Sequence, residues 1–170
     1  SIRMIVLNFP NNPTGICVSE YFYQKLAELI RGRDIFVFND FAYGEMQFDS
    51  RESVSLLSVP ELREQAVECY SMSKAYSIPG WRVGALMGSP TLIQKLSRLK
   101  SHIDYGLPLP IQHAAAAGLS SDQDLVASAL ERYEARARTL VSGLRRIGWD
   151  VSLPGGGVCI WAKIPDAFHA

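Results

Sequence analysis

The sequence predicts an α/β fold, and three observations lead there. Residues 4–7 and 35–38 are short continuous apolar runs that end in turn-forming or polar residues, the mark of buried strands. Between them, apolar residues recur at helical spacing. Strand, helix and strand in that order make a βαβ unit, whose parallel strands carry helices against their faces.

The elements follow in chain order. The first run feeds Asn8-Phe-Pro-Asn-Asn-Pro-Thr-Gly15, a dense set of turn formers, and reads as a buried strand entering a loop. In the next helix Ser19 is placed to cap and Glu20 favours the positive end, Phe22, Leu26, Leu29 and Ile30 form the inward stripe, and Gly32 is the stop. Residues 35–38 are the second buried strand. A loop over residues 48–58 and a short helix near 60–65 lead to a third strand at 67–72, and a fourth follows at 83–87.

Ser89-Pro90 then opens a helix with a capping hydroxyl and proline at the first helical position, its apolar side built from Leu92, Ile93, Leu96, Leu99 and Ile103. Turn-rich residues 104–110 break it. An alanine-rich helix covers about residues 111–119. A longer one runs from near 122 to 147, with Leu125, Val126, Ala129, Leu130, Tyr133, Leu140, Val141 and Leu144 as its stripe and Gly148 as its stop. Residues 149–153 and 158–164, on either side of Pro154-Gly-Gly-Gly157, read as two strands of a hairpin-like unit. The expected division is a mostly parallel sheet with flanking helices over residues 1–119 and, over 120–170, the connecting helix with the start of a small α+β domain.

Composition narrows the function classes. The 170 residues are 48% hydrophobic and 20% charged, as in a globular protein. Lys+Arg and Asp+Glu both total 17, so there is no basic field for nucleic acid. No apolar run approaches the roughly 20 residues of a membrane helix. Cys17, Cys69 and Cys159 match neither a disulfide framework nor a metal pair, which points to a reducing cytoplasm. The opening at Ser1 and the stop at Ala170, just past a strand-like run, read as an excerpt from a longer polypeptide.

Polar clusters follow three successive strands: Asn12 after the first, Asp40 and Tyr43 after the second, Ser71, Ser73 and Lys74 after the third. In an open α/β sheet that carboxyl edge is where ligands bind, because loops and helix N-termini open there together. The stretch Ser71-Met-Ser-Lys-Ala-Tyr-Ser-Ile-Pro-Gly-Trp-Arg-Val-Gly84 sets a lysine among hydroxyls at a strand end and returns Arg82 through a Pro-Gly turn. A lysine beside an arginine in a partly desolvated pocket has its neutral amine favoured, as an imine-forming nucleophile needs. Arginine with hydroxyls grips a phosphate dianion. An amine, a phosphate grip and an unpaired carboxylate one strand away suggest pyridoxal 5′-phosphate.

Asn12-Pro-Thr-Gly15, Asp40-Phe-Ala-Tyr43 and Ser71-Met-Ser-Lys74 with Arg82 resemble, in order, type and spacing, the signature of fold-type I, class I/II aminotransferases. The resemblance runs from the first strand to Pro165, and the segments Asp104-Tyr-Gly106 and Trp161-Ala-Lys-Ile-Pro165 are most similar to bacterial alanine aminotransferases and their relatives acting on LL-diaminopimelate. It implies that residues 1–119 belong to the large domain that binds pyridoxal phosphate, and that the full-length protein is a homodimer. It also implies that Lys74 binds the cofactor covalently and shuttles the substrate's α-proton, and that Asp40 pairs with the pyridinium nitrogen. Tyr43 and Asn12 would donate to the 3′-oxygen, Ser71, Ser73 and Arg82 would lie at the phosphate, and Asn12 would also touch the substrate carboxylate. Tyr105 is implied as a contact across the dimer. In this family a second phosphate loop and a ring-stacking residue lie upstream, and a carboxylate-binding arginine downstream; none falls within these residues. The excerpt alone is therefore expected to bind cofactor poorly and to catalyse little.

Two other functions remain open on the sequence: a β-lyase or synthase on the same scaffold, and an effector domain of a transcription regulator that keeps the cofactor site without turnover. Other residues carry less. Gly155 to Gly157 opens no helix and reads as a turn, not a nucleotide cradle. His102, His113 and His169 lack metal-ligand spacing, and Cys69 inside a strand reads as inert.

Overall fold

The computed structural model describes residues 2–49 and 51–168. Its sheet has four strands in the order β1 (Met4–Asn8), β2 (Phe36–Asp40), β3 (Ala66–Ser71) and β4 (Gly84–Gly88). The first three are parallel, and β4 returns antiparallel along β3. This is the α/β class expected, with the fourth strand making the sheet mixed. The first two strands run past their apolar runs to include Asn8 and Asp40, which lie side by side in register, and Asp40 lies beside Cys69 of β3. The Asn8 amide clips this end together by donating to the Asp40 carbonyl at 2.9 Å.

Helix α1 (Glu20–Ile30) crosses between β1 and β2 and buries Tyr23, Leu26, Ala27 and Ile30. The predicted stripe is thus rotated: Phe22 and Leu29 face outward and Tyr23 takes the inner place. A buried polar network accounts for the rotation, because the Asn39 amide donates to the Tyr23 hydroxyl at 3.4 Å and to Glu68 at 2.9 Å. Phe22 packs edge-on against Phe9 instead. Ser19 holds the N-cap position, but its hydroxyl makes no cap bond and its carbonyl takes the Phe22 N–H. Gly32, at φ +71°, follows the helix end.

The core joins α1 to Ile35, Val37, Leu56, Val59, Leu62 and Ala66. Leu56 and Leu62 sit on 3-10 turns (Leu56–Ser58 and Pro60–Leu62) that replace the short helix expected near residues 60–65, and each fully buried leucine stabilises by about 2 kcal/mol. Glu68 is buried among them and accepts from the Ser55 hydroxyl (2.7 Å), the Leu56 N–H (2.9 Å) and the Asn39 amide. Those donors stand in for the water it has lost. Burial, then the Glu68 charge, pushes the Tyr23 phenol far above its ordinary value, with the Asn39 amide opposing.

The expectation of strands buried on both faces is not met in β1. Ile5 and Leu7 pack on the core, whereas Met4 and Val6 are 58% and 62% exposed, because α1 and the 3-10 turns lie on one side and nothing among the described residues covers Met4 and Val6. On the β3–β4 side, α3 (Pro90–Lys100) sets Ile93 and Leu96 opposite Cys69 and Leu86 across a cleft of about 460 Å³. Leu99 and Ile103 of the predicted stripe remain exposed. Ser89 precedes α3 without a side-chain cap; its N–H bonds the Ala66 carbonyl (2.8 Å) and its carbonyl takes the Ile93 N–H (2.9 Å), so backbone contacts anchor the helix start.

Between β3 and β4 stands the one-turn helix α2 (Met72–Ala75), and after α3 come α4 (Leu109–Ser120) and α5 (Asp124–Arg146). Gly118 lets α4 approach Met72 and Tyr76, and the Tyr76 hydroxyl donates to Gln123 at 2.7 Å. Helix α5 buries Val126, Ala129 and Val141, while Leu125 and Leu140 of its predicted stripe face outward. Arg138, paired with Glu134 on the same helix, ties α5 to the loop after β2 through an ion pair with Asp49. None of the described helices is long and apolar enough to cross a membrane.

The two strands predicted at 149–153 and 158–164 do not form among the described residues. The glycine turn pairs elsewhere. Gly155 N–H donates to Gly15 (3.0 Å), Phe48 N–H to Gly155 (2.9 Å) and Gly157 N–H to Met46 (2.7 Å), with one antiparallel bridge between Gln47 and Gly156. The turn residues are thereby held against the loops after β1 and β2. His102 and His113 are exposed, and His169 lies outside the described residues.

Candidate functional site

The loop after β1 is folded by asparagines. Asn8 Oδ1 accepts the Asn12 N–H at 2.8 Å, and Asn11 Oδ1 accepts the Thr14 N–H (3.2 Å) and hydroxyl (2.6 Å). This curl returns Asn12 toward the end of β2, where its Nδ2 donates to the Tyr43 hydroxyl at 2.8 Å. Gly15, at φ +70°, closes the loop against Pro154, and a side chain there would collide with the proline ring. A Cβ on Gly156 would strike the Met46 carbonyl. The glycine turn therefore lies across both site loops.

Asp40 ends β2. Its Oδ1 accepts the Ala42 N–H at 3.2 Å, and Oδ2 has no hydrogen bond among the described residues. Tyr43 follows in the next turn and is buried, with its ring centroid 5.8 Å from Lys74 Nζ. Lys74 sits in α2, whose start is fixed by Ser71 Oγ accepting the Ser73 N–H at 3.2 Å. Lys74 is half-buried and has no ion pair among the described residues.

Antiparallel pairing brings the last element home. Ser71 lies opposite Gly84, and the Met72 N–H bonds the Val83 carbonyl at 3.3 Å, which sets Arg82 at the end of β3. Arg82 is exposed, holds a left-handed backbone (φ +53°) and donates to the Pro79 carbonyl at 2.8 Å. Ser73 is buried and Ser71 half-buried.

The structure thus joins Asn12, Tyr43 and Lys74 by direct contacts and sets Asp40, Ser71, Ser73 and Arg82 at the same edge of the sheet. Tyr105 stands apart, fully exposed in a hollow with Ser97, Lys100 and Asp104. Burial raises the Tyr43 phenol above its ordinary value; the Cys159 and Asp40 charges add to this and the Asn12 amide opposes it. Burial, and then Asp40, raises the Cys69 thiol, in keeping with an unreactive side chain.

Three features escaped sequence reasoning: Asn8 as the loop's organiser, the glycine turn as its cover, and Cys159, whose Sγ lies 3.7 Å from Asn12 Oδ1. The density of asparagines after the first strand was a usable signal for Asn8. Nothing local signals Cys159, 147 residues away from Asn12.

Comparison with known proteins adds an independent line. The family model for aminotransferase class I and II matches residues 1–168. The chain is 40% identical over 168 residues to the glutamate-pyruvate aminotransferase AlaC of Escherichia coli (strain K12), covering 99% of this chain and 41% of that protein. It is 39% identical over 166 residues to an LL-diaminopimelate aminotransferase of Gloeobacter violaceus, covering 98% of this chain and 42% of that one. Apo-BacF from Bacillus subtilis superposes with a TM-score of 0.94 at 32% identity, over 99% of this chain and 43% of the other. The chain spans about two fifths of the length of these relatives.

Proposed function

The chain belongs to the class I and II aminotransferase family, and from that premise we propose that its full-length protein is a pyridoxal-phosphate-dependent aminotransferase whose cofactor rests on Asn12, Asp40, Tyr43 and Lys74. The observation that carries the reading is the Lys74–Tyr43–Asn12 contact series beside a carboxylate with one oxygen that has no hydrogen bond among the described residues. The donor set fits the group: a half-buried lysine without a counter-ion among the described residues, two hydrogen-bonding side chains for a phenolic oxygen, a carboxylate for a ring nitrogen, and Ser71, Ser73 and Arg82 for a phosphate. In this reading residues 1–119 are part of the cofactor domain, and 120–170 are the connecting helix with the start of a smaller one.

Bound pyridoxal phosphate supplies an electron sink for charge developing at an amino acid's α-carbon. The protein's share is to hold and to move protons. Lys74 would hold the group covalently and, when free, its amine would take and return the proton of the substrate α-carbon. Asp40 would keep the ring nitrogen protonated. Tyr43 and Asn12 would donate to the 3′-oxygen, and Asn12 would reach the substrate carboxylate. Tyr105 serves at a homodimer interface, where its exposure leaves it free to meet the partner subunit.

The name of the Escherichia coli relative favours alanine and glutamate as donors, with their 2-oxo acids as acceptors. Full-length protein incubated with pyridoxal phosphate, alanine and 2-oxoglutarate is expected to form pyruvate and glutamate in equal amounts. Pyruvate accompanied by free ammonia, with no glutamate, would identify a lyase and overturn the assignment.

A further inference from the structure

We propose that Cys159 is a positioning residue: its thiol sets which way round the Asn12 amide lies, and so leaves Tyr43 free to give its hydroxyl proton to a ligand. The inference rests on the reading of the site above. The glycine turn, held by three backbone hydrogen bonds to the site loops, carries Cys159 back to Asn12, and its Sγ comes within 3.7 Å of Asn12 Oδ1, a distance suited to S–H···O. At the other end of the same amide, Nδ2 donates to the Tyr43 hydroxyl at 2.8 Å.

An asparagine amide can be turned over with almost no change of shape, so its neighbours decide which end is the donor. As it lies, the Tyr43 oxygen accepts from Asn12 and keeps its own proton for another partner. Turned over, Oδ1 would consume that proton and the NH₂ group would face sulfur, a weak acceptor. A protonated thiol favours the first arrangement. The choice bears on binding because Tyr43 is buried with its ring 5.8 Å from Lys74 Nζ, so a phenol proton spent on Asn12 is lost to any ligand there. Cys159 also lines a cleft of about 200 Å³ with Phe48, Ile160 and, from α5, Tyr133 and Leu140.

The test measures pyridoxal phosphate dissociation constants by absorbance in the full-length protein. Cys159→Ala and Cys159→Ser are each made alone and together with Tyr43→Phe. Cys159→Ala is expected to weaken binding roughly threefold to tenfold, the loss of one modest hydrogen bond. Cys159→Ser keeps a donor and restores affinity to within about twofold of wild type. In the Tyr43→Phe background, which has no phenol proton to direct, Cys159→Ala has no effect. Unchanged affinity in Cys159→Ala, equal losses for Ala and Ser, or a full Ala effect in the Tyr43→Phe background would each overturn the inference. Lys74→Ala serves as the separate check on the site: if it abolishes the bound-cofactor absorbance while the Cys159 cycle shows no coupling, only the role of Cys159 is wrong; unchanged absorbance in Lys74→Ala means the site itself is misassigned.

Discussion

Replacing Lys74 with alanine in the full-length protein abolishes the visible absorbance of bound pyridoxal phosphate and lowers amino transfer by about 10⁴-fold or more, the scale set by losing a nucleophile and a proton carrier in one side chain. The fold is expected to survive. Lys74 makes no ion pair among the described residues, and its amine lies 5.8 Å from the Tyr43 ring centroid. Alanine is the strongest helix former, and the turn that presents residue 74 is fixed by Ser71 and by the Tyr76 N–H, neither of which the substitution alters. Absorbance spectra with and without added cofactor, alongside circular dichroism, check the outcome. A spectrum identical to wild type would remove Lys74 from the site.

Removing the charge of Asp40 has the second largest effect, a turnover loss of about 10²- to 10³-fold, on the scale of deleting one preorganised electrostatic partner. Two variants separate charge from structure. Asp40→Ala also strips the Ala42 N–H of its acceptor, a loss of about 1 kcal/mol in a half-buried turn. Asp40→Asn keeps an acceptor for Ala42 and changes only the group facing the proposed ring nitrogen. Both variants are expected to retain part of the cofactor and to lose similar turnover. Near-wild-type kcat in Asp40→Asn, measured at saturating cofactor, would show that no protonated nitrogen depends on this carboxylate.

The parts of this molecule that local chemistry decides were legible in its sequence. β1 and β2 announce themselves as apolar runs, and Asn12, Asp40 and Lys74 as polar residues just past strand ends, because the sheet edge follows from the strands. The errors arose where a distant partner decides. Tyr23 turned inward to Asn39 on β2, whose amide also binds Glu68 on β3, and displaced Phe22 from the expected stripe. Residues 149–164 have the alternation of a hairpin, but their glycine turn found better partners at Gly15, Met46 and Phe48. Met4 and Val6 read as buried because a parallel strand is usually covered on both faces, and among the described residues only one face of β1 is covered. In the sequence Cys159 stands out only as a redox marker, since a contact spanning 147 residues has no local signature.

Reductive trapping bears most directly on the claim that the three strand ends build one cofactor site. Full-length protein loaded with pyridoxal phosphate is treated with borohydride, which fixes the cofactor to the lysine that holds it, and the digested peptides are sequenced by mass spectrometry. The account predicts a pyridoxyl group on Lys74 and on no other lysine, with labelling lost in Lys74→Ala. A stoichiometric label on Lys25, Lys95, Lys100, Lys163 or a lysine outside this chain, with Lys74 unmodified, would contradict it.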